Sequence, residues 1–150
     1  MATARETKGG ASRTIARRTM WLGPGNTRVT VGIRMPEPDP ASGQGDWRCG
    51  FAISGLGRPV RKHAYGVDAV QALQLAMVRI RLALEPYRDR LTWSGCTLET
   101  AFPMQVPYEW GADLSRRIED SIEREVADLA GQIEARLAPA GAPPAQDPGT

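Results

Sequence analysis

Polar and apolar residues alternate along the first half of the chain, and this alternation predicts β-strands. Residues 28–35 and 47–54 each place their apolar side chains on one face and their polar side chains on the other. Residues 15–22 also suit a strand, and the turn formers Gly-Pro-Gly-Asn that follow predict a hairpin with residues 28–35. A long Pro- and Gly-rich loop, 36–46, ends the second strand, and residues 60–65 could add a short fourth strand.

A different spacing begins at Asp68 and predicts a helix over residues 68–85. Asp68 is a suitable N-cap, Gln71 completes a capping box, and Pro86 ends the helix. Apolar residues cover so much of its circumference that we expect it to be deeply buried against the sheet. The predicted stripes are Val67, Val70, Leu73, Met77, Ile80 and Leu84, and then Leu75, Val78 and Leu82.

A second helix is predicted at the end of the chain, from a cap at Asp113 to about Leu137. Its apolar residues form one stripe, and Glu and Asp residues occupy the opposite side, so the helix is amphipathic. Such a helix covers the rest of the domain or pairs with a partner chain. Between the two helices, residues 91–93 could form one more strand, and residues 94–111 form an irregular segment whose aromatic residues roof the core or anchor an interface.

These elements predict an α+β fold: an antiparallel sheet of three to five strands, one buried helix and a C-terminal amphipathic helix. We expect a single domain over residues 14–137, between disordered tails at 1–13 and at the Pro- and Ala-rich 138–150. The first twenty residues lack the apolar core of a secretory signal, and no apolar run reaches membrane-spanning length. The expected compartment is therefore the cytoplasm.

Charge divides the chain into two parts. Residues 1–64 contain 11 Lys or Arg against 4 Asp or Glu, whereas residues 65–150 contain 8 against 13. Arginine has a flat guanidinium that suits carboxylates and phosphates, so the basic half is suited to an anionic partner. The two halves could instead neutralise each other in the folded chain.

Candidate catalytic chemistry is sparse. His63 is the only histidine, and Cys49 and Cys96 lie far apart without a metal-binding spacing. Cys49 falls on an apolar strand position and is expected to be a small buried residue, while Cys96 lies on an expected turn and could be exposed. No nucleotide-binding glycine motif occurs. We therefore predict no catalytic residue, no metal, no cofactor and no enzyme activity.

The remaining prediction is a binding or interaction domain. Its candidate partner-binding residues are Arg28, Arg34, Arg48, Arg61 and Lys62. The expected partner is a protein with an acidic surface, as for an immunity-type protein, or a second copy joined through the C-terminal helix. Binding of RNA or DNA through an arginine-lined sheet face is the weaker alternative. The polar face of the central strands offers no aromatic platform for stacking bases.

Several runs resemble a family of small bacterial domains of unknown function. They are Trp47-x-Cys49 on a strand and Gly66-Val67-Asp68-Ala69-Val70-Gln71-Ala72-Leu73, a GVDxxQAL pattern, at the start of a helix. The later LTWSG and AFPMQVP runs and the acidic helix are also similar, so the resemblance covers about residues 14–130. It implies a bacterial, cytoplasmic, compact α+β protein and implies no activity.

Overall fold

A computed structural model describes residues 13–97, 100–106 and 110–137. The chain divides into two compact units, Met1–Met104 and Gln105–Thr150, and each is described by itself. The expected disordered tails lie outside the described residues, apart from Arg13. The single domain predicted over residues 14–137 stays a prediction.

The first unit is an antiparallel sheet with one helix packed against it. The strands are β1 (Thr14–Leu22), β2 (Thr27–Arg34), β3 (Glu37–Pro38), β4 (Trp47–Ser54), β5 (Val60–Gly66), β6 (Leu91–Trp93) and β7 (Cys96–Thr97). The helix α1 spans Ala69–Leu84, and a 3₁₀ helix follows at Glu85–Arg90. The predicted α+β class is confirmed.

The order across the sheet is β5, β4, β2, β1, β6 and β7. The seventh strand, β3, lies in line with β2, because both pair with β4 at different residues. β5 pairs along the whole of one edge of β4, so β2 and β3 must share its other edge. The sheet is wider than the predicted three to five strands because β3 and β7 contain only two residues each. Strands that short leave no alternation to detect, and β3 lies inside the predicted loop 36–46.

The predicted hairpin between β1 and β2 is present, with its turn at residues 23–26. Gly23 and Asn26 both adopt positive φ angles, 65° and 48°, which suit the residue types found there. Pairing then runs from Leu22 opposite Thr27 to Thr14 opposite Arg34, with one irregularity near Thr14. The turn thereby sets which residues of β1 and β2 share a face.

The core lies on one face of the sheet, beneath α1. The buried apolar residues are Met20, Val29, Val31, Ile33, Cys49, Phe51, Ile53, Ala64, Ala72, Ala76, Ile80, Leu84, Leu91 and Phe102. The predicted alternation of β2 and β4 therefore correctly identified the buried side chains of both strands. Each large side chain buried in this way stabilises the fold by about 1.5–3 kcal/mol.

The start of α1 is the predicted one. The Asp68 carboxylate accepts a hydrogen bond from the backbone N–H of Gln71 at 2.7 Å, and the Gln71 amide oxygen accepts one from the N–H of Val67 at 2.7 Å. The first bond satisfies a backbone donor of the first helical turn, and the second holds the residue that precedes the cap. A side chain on Gly66 would collide with the backbone of Ala72, so glycine allows β5 and α1 to approach closely.

The predicted buried face of α1 was wrong in part. Val67, Val70 and Leu82 are 72%, 64% and 64% exposed. The predicted Ile80 and Leu84 are fully buried, and they are joined by Ala72 and Ala76, which were not predicted; the four residues are spaced four apart. The physical reason is size: Ala72 and Ala76 let the first turns of the helix lie close to the sheet, so this stripe faces inward and Val70 and Leu82 lie on the exposed side.

Arg18, on the core side of β1, contacts aromatic rings of β6 and of the segment that follows β7. The Arg18 guanidinium lies 4.6 Å from the centre of the Trp93 ring and 4.7 Å from that of Phe102. Arg81 of α1 donates a hydrogen bond to the backbone oxygen of Phe102 at 2.8 Å and one to the Thr100 hydroxyl at 3.3 Å. Phe102 therefore joins the core, which is one of the two roles expected for the aromatic residues of the irregular segment.

Among its described residues, the second unit contains one helix, α2, over Ala112–Leu137. It begins one residue before Asp113, so Asp113 lies in the first turn and is not the predicted cap. Its apolar stripe is exposed, as at Leu129 (55%) and Ile133 (56%). Trp110 is 71% exposed, and Tyr108 lies outside the described residues. Self-association through this helix stays a prediction.

Among the helices that the structure describes, none is long and apolar enough to cross a membrane.

Candidate functional site: the open face of the sheet

The face of the sheet opposite α1 carries five arginines, contributed by β1, β2, β4 and β5. We call it the open face. It is defined by the residues that alternate with the core positions: Arg17, Thr19, Trp21, Arg28, Thr30, Gly32, Arg34, Arg48, Gly50, Ala52, Ser54, Arg61, His63 and Tyr65. Because paired residues of antiparallel strands share a face, the register assigns each of these positions.

Four of the five predicted partner-binding residues lie on this face. Arg28 and Arg34 come from β2, Arg48 from β4 and Arg61 from β5. Lys62 does not join them: it pairs with Phe51 of the core side, so it lies on the opposite face. A lysine next to an arginine in sequence cannot share its face of a strand.

Arg48 is already engaged with carboxylates. Its Nε and Nη2 atoms donate hydrogen bonds to Oε1 of Glu37 at 2.9 and 2.7 Å, and Nη1 lies 3.9 Å from the Asp39 carboxylate. Both acids come from the long loop between β2 and β4. Arg48 therefore contributes less free positive charge than the sequence suggested.

Arg17, Arg34 and Arg61 line a groove of about 310 Å³. We call it the arginine groove. Arg17, Gly32, Ala52 and Arg61 lie opposite one another on β1, β2, β4 and β5, so two small residues separate two arginines. At a strand spacing of about 4.8 Å, the Arg17 and Arg61 backbones are about 14 Å apart. The groove forms because Gly32 and Ala52, between the two arginines, have no large side chain to fill this part of the face.

The positive charge of the groove has no carboxylate partner among residues 13–97, 100–106 and 110–137. Neither its three arginines nor Arg28 forms an ion pair with a described side chain. Arg17 was missed as a candidate because its face could not be assigned from sequence: residues 14–19 do not alternate clearly between apolar and polar. Only the register with β2 places it beside Gly32.

Aromatic rings lie on the open face at β1 and β5, whereas the open-face positions of the central strands β2 and β4 carry none, as expected. Trp21 of β1 is opposite Arg28 and is 43% exposed. His63 and Tyr65 of β5 form a ring pair with centroids 6.4 Å apart, and Tyr65 is 51% exposed. A side chain on Gly50 would meet both Arg34 and His63, so the pair lies beside the arginine groove. Trp21 and Tyr65 were not identified from the sequence because the faces of residues 15–22 and 60–65 were not assigned.

The possible catalytic side chains are kept apart. Cys49 lies on the core side, fully buried, and its thiol donates a hydrogen bond to the Arg34 carbonyl at 3.3 Å. Burial raises the pKa of Cys49 to about 11. His63 is on edge strand β5, and the exposed Cys96 is on β7 at the other edge. The described residues contain no group of three or more His, Cys, Asp and Glu side chains that could hold a metal ion. The absence of catalytic activity stays a prediction.

Comparison with known proteins gives one match. The sequence model of a domain of unknown function, DUF6968, matches residues 16–104. The match ends where the first compact unit ends and includes β1 to α1 and the Trp93–Phe102 region. No curated protein and no solved structure matches the chain.

Proposed function

Since the chain belongs to the DUF6968 family, a domain of unknown function, we propose from its own geometry that it is a binding module whose open face takes single-stranded nucleic acid. The observation that carries the proposal is the combination, on one exposed sheet face, of arginines without carboxylate partners and accessible rings. The module acts by binding and carries out no bond-making step.

Single-stranded nucleic acid requires both of these features. Phosphates are held by arginine or lysine, and bases stack on aromatic side chains with little sequence preference. Arg28 and Trp21 lie opposite each other at one end of the face, and Arg34, His63 and Tyr65 lie towards the other. A flexible strand crossing the sheet would meet charge and a stacking surface at both ends. A rigid duplex does not present its bases for stacking, so the rings favour single strands.

The second candidate is the acidic protein partner expected from the charge pattern, including an immunity-type complex. It is favoured by Arg48, whose contacts with Glu37 and Asp39 show that carboxylates fit this face. Charge complementarity of this kind accelerates association and selects partners. This candidate makes no use of the exposed rings, and for that reason it ranks second.

Fluorescence anisotropy distinguishes the two candidates. Labelled single-stranded DNA and RNA of about twelve nucleotides, a site size typical of such surfaces, are titrated with the full chain beside a glutamate-rich peptide of equal charge. We expect the oligonucleotides to bind more tightly and to lose affinity steeply between about 50 and 200 mM salt. No oligonucleotide binding at the lower salt would refute the proposal, and tighter binding of the peptide would establish the second candidate instead.

Matched variants identify the surface. Tyr65→Ala removes a stacking ring, which is worth about 1–3 kcal/mol per base, so oligonucleotide affinity should fall at least about fivefold. Arg61→Gln should weaken binding, whereas Lys62→Gln, the same loss of charge one residue later on the opposite face, should not. Equal losses for Arg61→Gln and Lys62→Gln would place the binding surface elsewhere.

A further inference from the structure

The arginine groove differs from the rest of the open face in being concave and in being lined by three arginines. Arg17 and Arg61 stand on either side of Gly32 and Ala52, and Arg34 extends over Gly50 from the next row of the sheet. A surface that only attracted the nucleic-acid backbone would need no such enclosure, because exposed arginines along a flat sheet supply the same attraction.

Three arginines suit a doubly charged group better than a singly charged one. A phosphodiester within a strand carries one negative charge, whereas a terminal phosphate monoester carries about −1.5 to −2 at neutral pH and three acceptor oxygens. Arginine donates to phosphate oxygens through two parallel N–H groups, so each guanidinium can serve one edge of the group. No described carboxylate lies in ion-pair contact with the three arginines to reduce their charge.

Two rings follow the groove along β5, at His63 and Tyr65, which are two and four residues from Arg61 on the same face. His63 borders Gly50 together with Arg34, and Tyr65 stands next to His63 with ring centroids 6.4 Å apart. The groove volume of about 310 Å³ is at the lower end of the range for small-ligand sites. It is large enough for a phosphate and part of a sugar, while the base must lie outside, against the rings.

We propose that the arginine groove binds the terminal phosphate of a 5′-phosphorylated nucleotide, with Arg17, Arg34 and Arg61 holding the phosphate and Tyr65 and His63 stacking on its base. The inference rests on the proposed function, since it names the part of a single strand that the open face recognises. The same chemistry is present at the 5′ end of a nucleic acid and in a free mononucleotide.

The test compares two oligonucleotides that differ only in the 5′ phosphate, both labelled at the 3′ end and titrated with the full chain. We expect the 5′-phosphorylated strand to bind about tenfold more tightly, as one strong charge-assisted contact provides. The bound strand is then displaced with a free 5′-mononucleotide or with an unlabelled phosphorylated strand. The stronger competitor shows whether the groove prefers a nucleotide alone or a strand end, and either result supports phosphate binding in the groove. Equal affinity of the two labelled strands would overturn the inference while leaving the proposed function intact, and no binding of either would overturn both.

Substitutions in the groove distinguish recognition of the 5′ phosphate from general electrostatic attraction of the strand. Arg34→Gln should remove the preference for the 5′ phosphate, whereas Arg28→Gln, on the same strand and face but outside the groove, should weaken both strands equally. Ala52→Leu fills the groove without changing charge and should also remove the preference, and Thr19→Leu is its control elsewhere on the face. A preference that survives Arg34→Gln would refute the inference, even if Ala52→Leu failed to fold.

Discussion

Arg17 and Arg18 test whether strand register assigns one arginine to the binding face and its neighbour to stabilising the fold. The two arginines are neighbours in sequence, but Arg17 lies on the open face and Arg18 on the core side between the Trp93 and Phe102 rings. A cation over an aromatic ring contributes about 0.5–1 kcal/mol at the surface and about 2 kcal/mol when desolvated. Arg18 is half-buried, so its two ring contacts together contribute about 2 kcal/mol.

Arg18→Ala should therefore lower the free energy of unfolding by about 2 kcal/mol, or the melting temperature by roughly 10 °C for a unit of this size. Urea and thermal unfolding followed by circular dichroism measure both quantities. Arg18→Lys keeps the charge but loses the flat stacking surface, so its loss should be intermediate. Arg17→Ala is the matched control and should change stability by less than about 0.5 kcal/mol. Equal losses for Arg17→Ala and Arg18→Ala would refute the assigned register and the role of the rings.

Three further predictions concern the turns, the helix cap and the buried thiol. Asp68→Ala should cost about 1 kcal/mol of unfolding free energy by removing the N-cap, while Asp68→Asn should retain most of it; an unchanged denaturation midpoint would mean that the cap does not stabilise α1. Gly55→Ala should destabilise the fold far more than Gly57→Ala, because both residues have positive φ but only a side chain on Gly55 would collide with the Arg28 carbonyl; similar melting temperatures would contradict this. Because burial raises the pKa of Cys49 from 9.0 to about 11, the folded state favours the neutral thiol: its contribution is complete below pH 9 and is lost as the pH rises through about 11. The unfolding free energy should therefore fall over that range more steeply in the natural protein than in Cys49→Ala, and parallel pH profiles would exclude the thiol as the cause.

Much of the fold follows from local pattern. The alternation in β2 and β4 identified their buried faces, the Gly-Pro-Gly-Asn turn predicted the β1–β2 hairpin, and the capping box predicted where α1 begins. These features depend on a few consecutive residues, so a sequence displays them directly. The family resemblance was likewise predicted from short runs of residues, and the chain matches a family of unknown function.

The orientation of α1 shows where local pattern ends. Its sequence offers more apolar residues than one face can bury, and hydrophobicity alone ranks Val70 and Leu82 above Ala72 and Ala76. The first turns of the helix pass close to Gly66, so small side chains fit there at Ala72 and Ala76, and the same stripe then buries Ile80 and Leu84 further along. Depth of packing, a property of two elements together, decides which stripe faces inward.

The sequence by itself determined the class of the fold, the main strands, the start of α1 and the presence of excess arginine in the first half. Only the tertiary structure decided which arginines lie together: it brought Arg17 to Gly32, separated Lys62 from Arg61, paired Arg48 with Glu37, and placed His63 beside Arg34 and Tyr65 opposite Arg48. The physical reason is that a face of a sheet is assembled from residues far apart in the chain. Its composition depends on the register between strands, which hydrogen bonding and core packing set jointly.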